Sequence, residues 1–138
     1  MKDESDPVSP DEFILRRIPN LPNYINMELP MPVVRGAFGP SSSDIDGLSV
    51  YRENFVSAQD VAEDGNNLAG YYVVRLRAQD IFNLGMDLIP NPINGQLPGH
   101  TLIPELSLIA KKADRNKYKD LTLELAKLAS NDIVYSPD

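Results

Sequence analysis

The sequence predicts a single α+β domain over residues 1–138, in which a small mixed or antiparallel sheet carries a few helices on one face. Residues 70–77 are rich in Tyr and Val and alternate with period two, which is typical of a strand. Residues 114–130 repeat apolar side chains at helical spacing, which predicts the main helix. Seven of the twelve prolines lie in the first 40 residues, so this region is expected to lack long regular structure.

The N-terminal region is predicted to hold one short helix and a proline-rich arm. Ser9 and Glu12 have the spacing of a capping box, which predicts a short helix that ends at Pro19. Residues 1–8, before this helix, are expected to be flexible. Residues 19–32 carry four prolines and are expected to form an extended arm.

The remaining elements follow from shorter patterns. Val33–Phe38 and Leu48–Arg52 are predicted strands, and a short helix is expected to begin at Ser57. Residues 79–84 form a predicted helical turn that Gly85 ends. Further along, the sequence predicts a short strand at 86–89, a loop at 90–99, a short helix at 104–112 and an edge strand at 133–135.

Composition limits the classes of function. The chain carries 13 basic and 20 acidic side chains, a net charge of −7, which disfavours a protein that coats nucleic acid. It has no Cys, which excludes disulfides, thiol catalysis and thiolate metal sites. The acidic start lacks the apolar core of a signal peptide, and no apolar run is long enough to span a membrane. We therefore expect a cytoplasmic protein, and no motif in the sequence indicates a cofactor.

A basic cluster stands out against this acidic background. Lys111, Lys112 and Arg115 lie close together, and residues 111–138 carry six basic and five acidic side chains. One interpretation is a solvated helix start, which is what most charge runs are. The other is a binding site for an acidic partner surface or a phosphate. The helix dipole disfavours cations at a helix start, which makes the cluster unusual.

Two residues invite a test for catalysis. His100 is the only histidine and a candidate general acid–base, because histidine titrates near neutral pH. It is predicted to lie in a turn-rich loop, and a structural or merely exposed side chain is the alternative. Ser49 is followed two residues later by Tyr51, where the nucleophile elbow of hydrolases needs Gly, so such an elbow is not expected.

A partial calcium-loop pattern lies just before the 48–52 strand. Asp44, Asp46 and Glu53 fall on carboxylate positions of the calcium loop. Its first position holds Ser42 instead of a carboxylate, and the flanks lack paired helices. The alternative is a turn in which the aspartates bond locally, and no metal site is predicted.

An arginine-rich sheet face is the remaining candidate site. It forms if the predicted strands at 33–38, 48–52 and 70–77 lie side by side, because alternate side chains of a strand share one face. Arginines beside aromatic rings bind phosphates, carboxylates or an acidic partner. The alternative is that they pair with the protein's own carboxylates on a solvated face. The residues that this face would gather are Arg35, Tyr51, Arg52, Tyr71, Arg75 and Arg77.

Four short segments carry a resemblance to other proteins: Leu15–Ile18, Ala37–Phe38, Gly47–Arg52 and His100–Ile103. Together they resemble a loose group of small uncharacterised bacterial proteins. The resemblance implies a bacterial source, and it carries over no activity and no functional residue.

Two classes of function remain open. The first is a non-enzymatic intracellular protein-interaction module, with an inhibitor, antitoxin or immunity-like role as one version. Its acidic charge would steer it towards a partner with a basic surface, and the proline-rich arm would lie across that partner. The alternative is a small enzyme or a nucleotide- or phosphate-binding protein that uses His100 with an arginine cluster. The alternative requires His100 and the arginines to converge in one cleft. Neither membrane binding nor generic nucleic-acid binding is expected.

Overall fold

The computed structural model describes residues 3–137 and confirms the α+β class. The strands in this range are β1 (Phe13–Pro19), β2 (Leu48–Arg52), β3 (Tyr71–Arg77), β4 (Ile89–Pro90), β5 (His100–Ile103) and β6 (Ile133–Tyr135). The helices in the same range are α1 (Ala58–Glu63), α2 (Ala78–Asn83), α3 (Leu108–Ala113) and α4 (Arg115–Ala129), with 3₁₀ turns at Arg35–Phe38 and Pro104–Leu106. The strands form one open antiparallel sheet in the order β4-β5-β2-β1-β3-β6.

The central strand β1 is covered on both faces of the sheet. Ile14 and Ile18 pack into the larger core together with side chains of α2 and α4. Leu15 points the other way and packs into a second core with Val61 and Ala62 of α1. The sequence predicted helices on one face only. The short α1 lies on the opposite face because β1 carries apolar side chains on both sides, and each side must be shielded from water.

The helix predicted between Ser9 and Pro19 is wrong, because this stretch is a turn followed by β1. The capping-box contacts do form: the Ser9 amide donates to Glu12 Oε2 at 2.7 Å, and the Glu12 amide donates to the Ser9 carbonyl at 3.0 Å. They close a single turn. From Phe13 onward the chain pairs with β3 along its whole length, and this pairing overrides the local helix signal.

The strand predicted at 33–38 is also wrong. Val33 makes one isolated bridge to Ile25, and the chain then enters the 3₁₀ turn that packs against α4. Ala37 and Phe38 are both buried. Successive residues of a strand point to opposite faces, so a turn is needed to bury both of these side chains in one core.

The N-terminal segment and the proline-rich arm are both attached to the domain. Arg52 Nη1 donates to the Asp6 carbonyl at 2.7 Å and to the Glu4 carbonyl at 3.1 Å, which joins the N-terminal segment to β2, and the flexibility of this segment stays a prediction. Residues 1 and 2 lie outside the described range. The arm folds back on itself through buried Ile25, because the Asn26 amide donates to the Pro32 carbonyl at 2.8 Å.

Most of the other elements agree with the sequence pattern, but the strand predicted at 86–89 is wrong: residues 86–88 have no strand structure, and β4 (Ile89–Pro90) forms where the chain pairs with β5. The helix predicted at 104–112 is a 3₁₀ turn at Pro104–Leu106 followed by α3.

The strands at 48–52, 70–77 and 133–135 and the helix at 114–130 are confirmed, and Ser57 caps α1. Gly85 follows α2 with a φ of +85°, a left-handed conformation that glycine adopts without a steric penalty. Strand β5 is a new element, since His100 was expected in a loop. No helix among residues 3–137 has the length and apolar character needed to cross a membrane.

Candidate functional site

A cavity of about 730 Å³ opens between the first 3₁₀ turn and helices α3 and α4. Its walls include two tyrosines, Tyr24 and Tyr118, and the backbone of Gly36 and Gly39. We call this cavity the cationic groove, because positively charged side chains from four different elements line it. These are Arg16 of β1, Arg35 of the 3₁₀ turn, Lys111 of α3, and Arg115 and Lys119 of α4.

Helical spacing brings the C-terminal cations of the groove together. Arg115 and Lys119 are four residues apart on α4, so they share a face with Tyr118. The 3₁₀ turn packs against this helix and adds Arg35 from the other side. The structure therefore joins Arg35 to Lys111 and Arg115, which the sequence placed in two separate candidate sites.

The groove lacks a matching set of carboxylates. Among residues 3–137, no Asp or Glu lines it, and no carboxylate lies within 4.0 Å of a charged nitrogen of Arg35, Lys111, Arg115 or Lys119. Arg17, Arg52 and Arg75 differ, since each is ion-paired. The cations of the groove are therefore available to an anion from outside.

Arg16 forms the inner wall of the groove. Its Nε donates to the Ala37 carbonyl at 3.1 Å and its Nη1 to the Ser49 carbonyl at 2.9 Å. Burial lowers the pKa of Arg16 to about 10, and the charge of Asp44 opposes this shift. The guanidinium thus stays charged at neutral pH, and two carbonyl oxygens hold it in place.

Tyr118 lies beside these cations. The Lys111 ammonium lies 5.1 Å from the centre of its ring, a cation–π contact. Burial raises the pKa of Tyr118, while the charges of Arg35 and Arg16 lower it. A Cβ on Gly39 would come within 3.1 Å of the Tyr118 hydroxyl, so a glycine here keeps the wall of the groove open.

A second cavity of about 410 Å³ contains His100 and Ser49. His100 is buried at the start of β5, and its Nε2 lies 3.0 Å from Ser49 Oγ. Its Nδ1 lies 2.9 Å from the Asn91 carbonyl oxygen, and its ring meets Tyr51 edge-on at 5.6 Å. Arg16 lines this cavity as well as the groove. The sequence did not indicate the pairing of Ser49 with His100, because the register of β2 against β5 sets it.

The predicted arginine face does not form. Arg75 donates to Asp132 at 2.9 Å, lies 3.5 Å from Glu53 and stacks 4.5 Å from the Phe13 ring. The hydrogen bond to Asp132 raises the pKa of Arg75. Arg35 is on the other side of the sheet, because its 3₁₀ turn packs into the larger core. Arg75 therefore follows the alternative, in which an arginine pairs with the protein's own carboxylates.

The other residues of that predicted face have separate environments. Arg52 is fully buried and donates to both Glu12 oxygens, at 2.8 and 2.9 Å. Tyr71 lies under the Arg17 guanidinium at 5.2 Å, and Arg77 is exposed at the end of β3. Lys112, from the basic cluster, is exposed and lies outside the lining of the groove.

The calcium-loop pattern does not gather its carboxylates. Asp44 accepts from the Ser41 amide at 2.8 Å and lies 3.5 Å from Ser49 Oγ, which is the local turn bonding of the alternative. Asp46 lines the second cavity, whereas Glu53 pairs with Arg75. In the described part of the chain, no group of three or more His, Cys, Asp or Glu side chains is placed to hold a metal ion.

Comparisons with protein-family models, curated proteins and solved structures find no match to this chain. The chemistry of the two cavities is therefore what indicates a function for this chain. Of these, the cationic groove has the larger volume and the greater charge.

Proposed function

We propose that this chain is a binding protein whose ligand is a phosphate-bearing small molecule held in the cationic groove. The observation that carries the proposal is the group of five cationic side chains around one cavity, without a carboxylate from residues 3–137 in its lining. The proposal takes up the phosphate-binding alternative from the sequence. It replaces His100, Arg75 and Arg77 of that alternative with Lys111, Arg115 and Lys119, because His100 lines the second cavity and not the groove.

The chemistry of the lining favours phosphate over a single carboxylate. A guanidinium presents a planar fork of donors that matches two oxygens of one phosphate, and lysines add point charges. Five cations are best balanced by a ligand with several negative charges. The cavity volume lies within the range of about 300–1,000 Å³ that is usual for small-molecule sites. Tyr24 and Tyr118 offer ring surfaces for an organic body.

The net charge of −7 does not prevent this binding. At physiological ionic strength the Debye length is about 8 Å, so distant carboxylates are screened while the cations of the groove touch the ligand. The fold also bears a cost for these cations. Like charges four residues apart, as in Arg115 and Lys119, destabilise a helix by about 0.2–0.5 kcal/mol. A compensating anion would remove that repulsion.

Isothermal titration calorimetry with ATP and with pyrophosphate tests the proposal, with uncharged adenosine as the ligand control. The double variant Lys111→Ala/Arg115→Ala removes two groove cations. Its matched control is Lys112→Ala/Lys117→Ala, which removes the same number of exposed cations from the same segment but outside the groove.

We expect the groove variant to weaken binding at least tenfold, because each charge-assisted hydrogen bond contributes about 1.5–3 kcal/mol. The affinity of the control variant should change by no more than about twofold, because the cations that it removes lie outside the groove and salt screens their attraction to the ligand. Lack of binding by the unmodified protein, or equal losses in the two variants, would contradict the proposal.

A second candidate is the protein-interaction module predicted from the sequence. One observation favours it: the loop at 20–32 exposes Leu21, Met27 and Leu29, with 39%, 51% and 45% of their surface accessible. Contiguous apolar patches are typical of partner sites, and this loop carries its three exposed apolar side chains within nine residues of sequence. Co-purification at low salt tests it, because Met27→Ser/Leu29→Ser should release the same partner that the unmodified protein retains. The bacterial source, the cytoplasmic location and a partner with a basic surface stay predictions.

A further inference from the structure

We propose that Ser49 and His100 form a nucleophile–base pair that accepts an acyl group from an ester. This goes beyond ligand binding in the groove, because it concerns the second cavity. The pair meets the first geometric requirement for an activated serine, with Ser49 Oγ 3.0 Å from His100 Nε2. A third group orients the base, since His100 Nδ1 lies 2.9 Å from the Asn91 carbonyl oxygen.

Two contacts of Nδ1 bear on the tautomer of His100, and the shorter one assigns it. The Asn91 carbonyl oxygen at 2.9 Å can only accept, so it places the hydrogen on Nδ1, whereas the Asn91 side-chain nitrogen, which would need Nδ1 as an acceptor, lies farther away at 3.4 Å. Nε2 is then the unprotonated nitrogen in the neutral ring, and Ser49 donates its hydroxyl hydrogen to it. The other acceptor near this hydroxyl, Asp44 Oδ1, is farther away at 3.5 Å. The shorter contact places the serine proton on the path to histidine.

The sheet holds this pair rigidly. Ser49 is in β2 and His100 in β5, two adjacent strands whose register pairs Tyr51 with His100 and Ser49 with Leu102. The two side chains are therefore diagonal neighbours on one face of the sheet. His100 is only 6% exposed and its ring lies against Tyr51. A site on paired strands keeps its geometry better than a site on loops.

The same cavity has two guanidiniums in its lining and open volume. Arg16 and Arg17 line it together with Asp44 and Asp46, and Arg16 already donates to the backbone carbonyl of Ser49. A guanidinium near the serine stabilises the negative oxygen of a tetrahedral intermediate. The cavity of about 410 Å³ is large enough for a small ester.

Hydrolysis of the ester by this pair needs water and no other reagent. Ser49 Oγ attacks the ester carbonyl carbon while its proton passes to His100 Nε2. The bond from that carbon to the alcohol oxygen breaks, and the alcohol leaves with the proton from Nε2. Water then attacks the acyl-serine, again giving a proton to His100. The acyl–Oγ bond breaks, Ser49 recovers its proton, and a carboxylic acid is released.

Labelling of the native protein with a fluorophosphonate probe tests the proposal, with the modified residue identified by peptide mass spectrometry. We expect one adduct, on Ser49, and none in Ser49→Ala. His100→Gln should slow labelling by at least about 10²-fold, which is the usual contribution of a general base. Ser42→Ala is the matched control, because Ser42 is exposed in the loop that precedes β2 and does not line the cavity, so its loss should leave the labelling rate of Ser49 unchanged.

The mapping on the unmodified protein keeps the test decisive if a variant fails to fold. Absence of an adduct on Ser49 in the folded protein overturns the proposal, and so does an adduct on Ser43 alone. Labelling of Ser49 that His100→Gln leaves unchanged also overturns it, because the serine would then react without its base.

Discussion

The fully buried guanidinium of Arg52 and the half-buried one of Arg16 are stabilised in different ways. Arg52 is paired with Glu12 through two short hydrogen bonds and also holds the N-terminal segment. Arg16 is held by the carbonyl oxygens of Ala37 and Ser49, and its nearest charge effects come from Asp44 and Arg17. Arg52 therefore stabilises the fold, whereas Arg16 can still bind an anion from outside the protein.

Removal of Glu12 should strongly destabilise the protein. Glu12→Ala removes the carboxylate that pairs with the buried Arg52 guanidinium. Removing one partner of a buried ion pair lowers the free energy of unfolding by about 3–5 kcal/mol. Glu12→Gln keeps hydrogen-bond acceptors near Arg52 and should cost less. Denaturant unfolding measures both changes. The exposed pair Lys127–Glu124 is the control, because Glu124→Ala should change stability by less than about 1 kcal/mol. Similar losses for Glu12→Ala and Glu124→Ala would refute the anchoring role.

Two tyrosines should lose their hydroxyl protons at a higher pH than an exposed tyrosine. Burial raises the pKa of both Tyr51 and Tyr118 above the ordinary value of 10.0. Because the pKa of each tyrosine is higher in the folded than in the unfolded protein, the neutral phenols contribute to the free energy of unfolding. This contribution is complete below pH 10 and is lost as the pH rises through the folded-state pKa. Ultraviolet absorbance should show a late component that shrinks in Tyr51→Phe and again in Tyr118→Phe. A single transition for all six tyrosines at the ordinary pKa would contradict the burial of these two.

At the scale of elements, the sequence predicts those whose pattern is long or strongly periodic. β3 and α4 have such patterns, and both occur where predicted. β1 has a local capping signal but owes its conformation to pairing with β3, and its neighbour cannot be known from local sequence. β5 was missed for the same reason, because four residues that include His100 gain strand structure only from β2 and β4.

The long helix α4 should depend on its buried stripe. Leu125 is fully buried in the larger core, so Leu125→Ala should lower the free energy of unfolding by about 2–5 kcal/mol. Leu123 lies two residues away and is 38% exposed, which makes Leu123→Ala the matched control with a smaller loss. Denaturant unfolding of the two variants gives the comparison. A larger loss for Leu123→Ala would mean that α4 presents a different face to the core.

At the scale of the whole molecule, this acidic protein gathers five cationic side chains in one groove that no Asp or Glu of residues 3–137 lines. The sequence predicts Lys111 and Arg115 as a basic cluster, but it gives no sign that Arg35 and Arg16 join them. Those two residues come from distant parts of the chain, and the packing of the 3₁₀ turn on α4 brings Arg35 in. The predicted face with Arg75 fails because the acidic partners of Arg75, Glu53 and Asp132, lie beside it in the fold.

Binding of ATP to the groove should weaken as salt is added. The Debye length falls from about 30 Å at 0.01 M ionic strength to about 8 Å at 0.15 M, so long-range attraction to the five cations is progressively lost. Titration calorimetry at several salt concentrations measures this dependence. The slope should be shallower for Lys111→Ala/Arg115→Ala than for the unmodified protein. An affinity that does not vary with salt would point to an apolar site elsewhere.

The most direct test of the central claim is a pyrophosphate titration followed by two-dimensional amide NMR of the unmodified protein. Pyrophosphate has charge but no organic body, so it reports where the protein binds an anion. We predict that the largest shift changes fall on the 3₁₀ turn at Arg35–Phe38 and on the Lys111–Lys119 segment. Changes centred on the His100 cavity, or no saturable change at all, would contradict the cationic groove as the binding site.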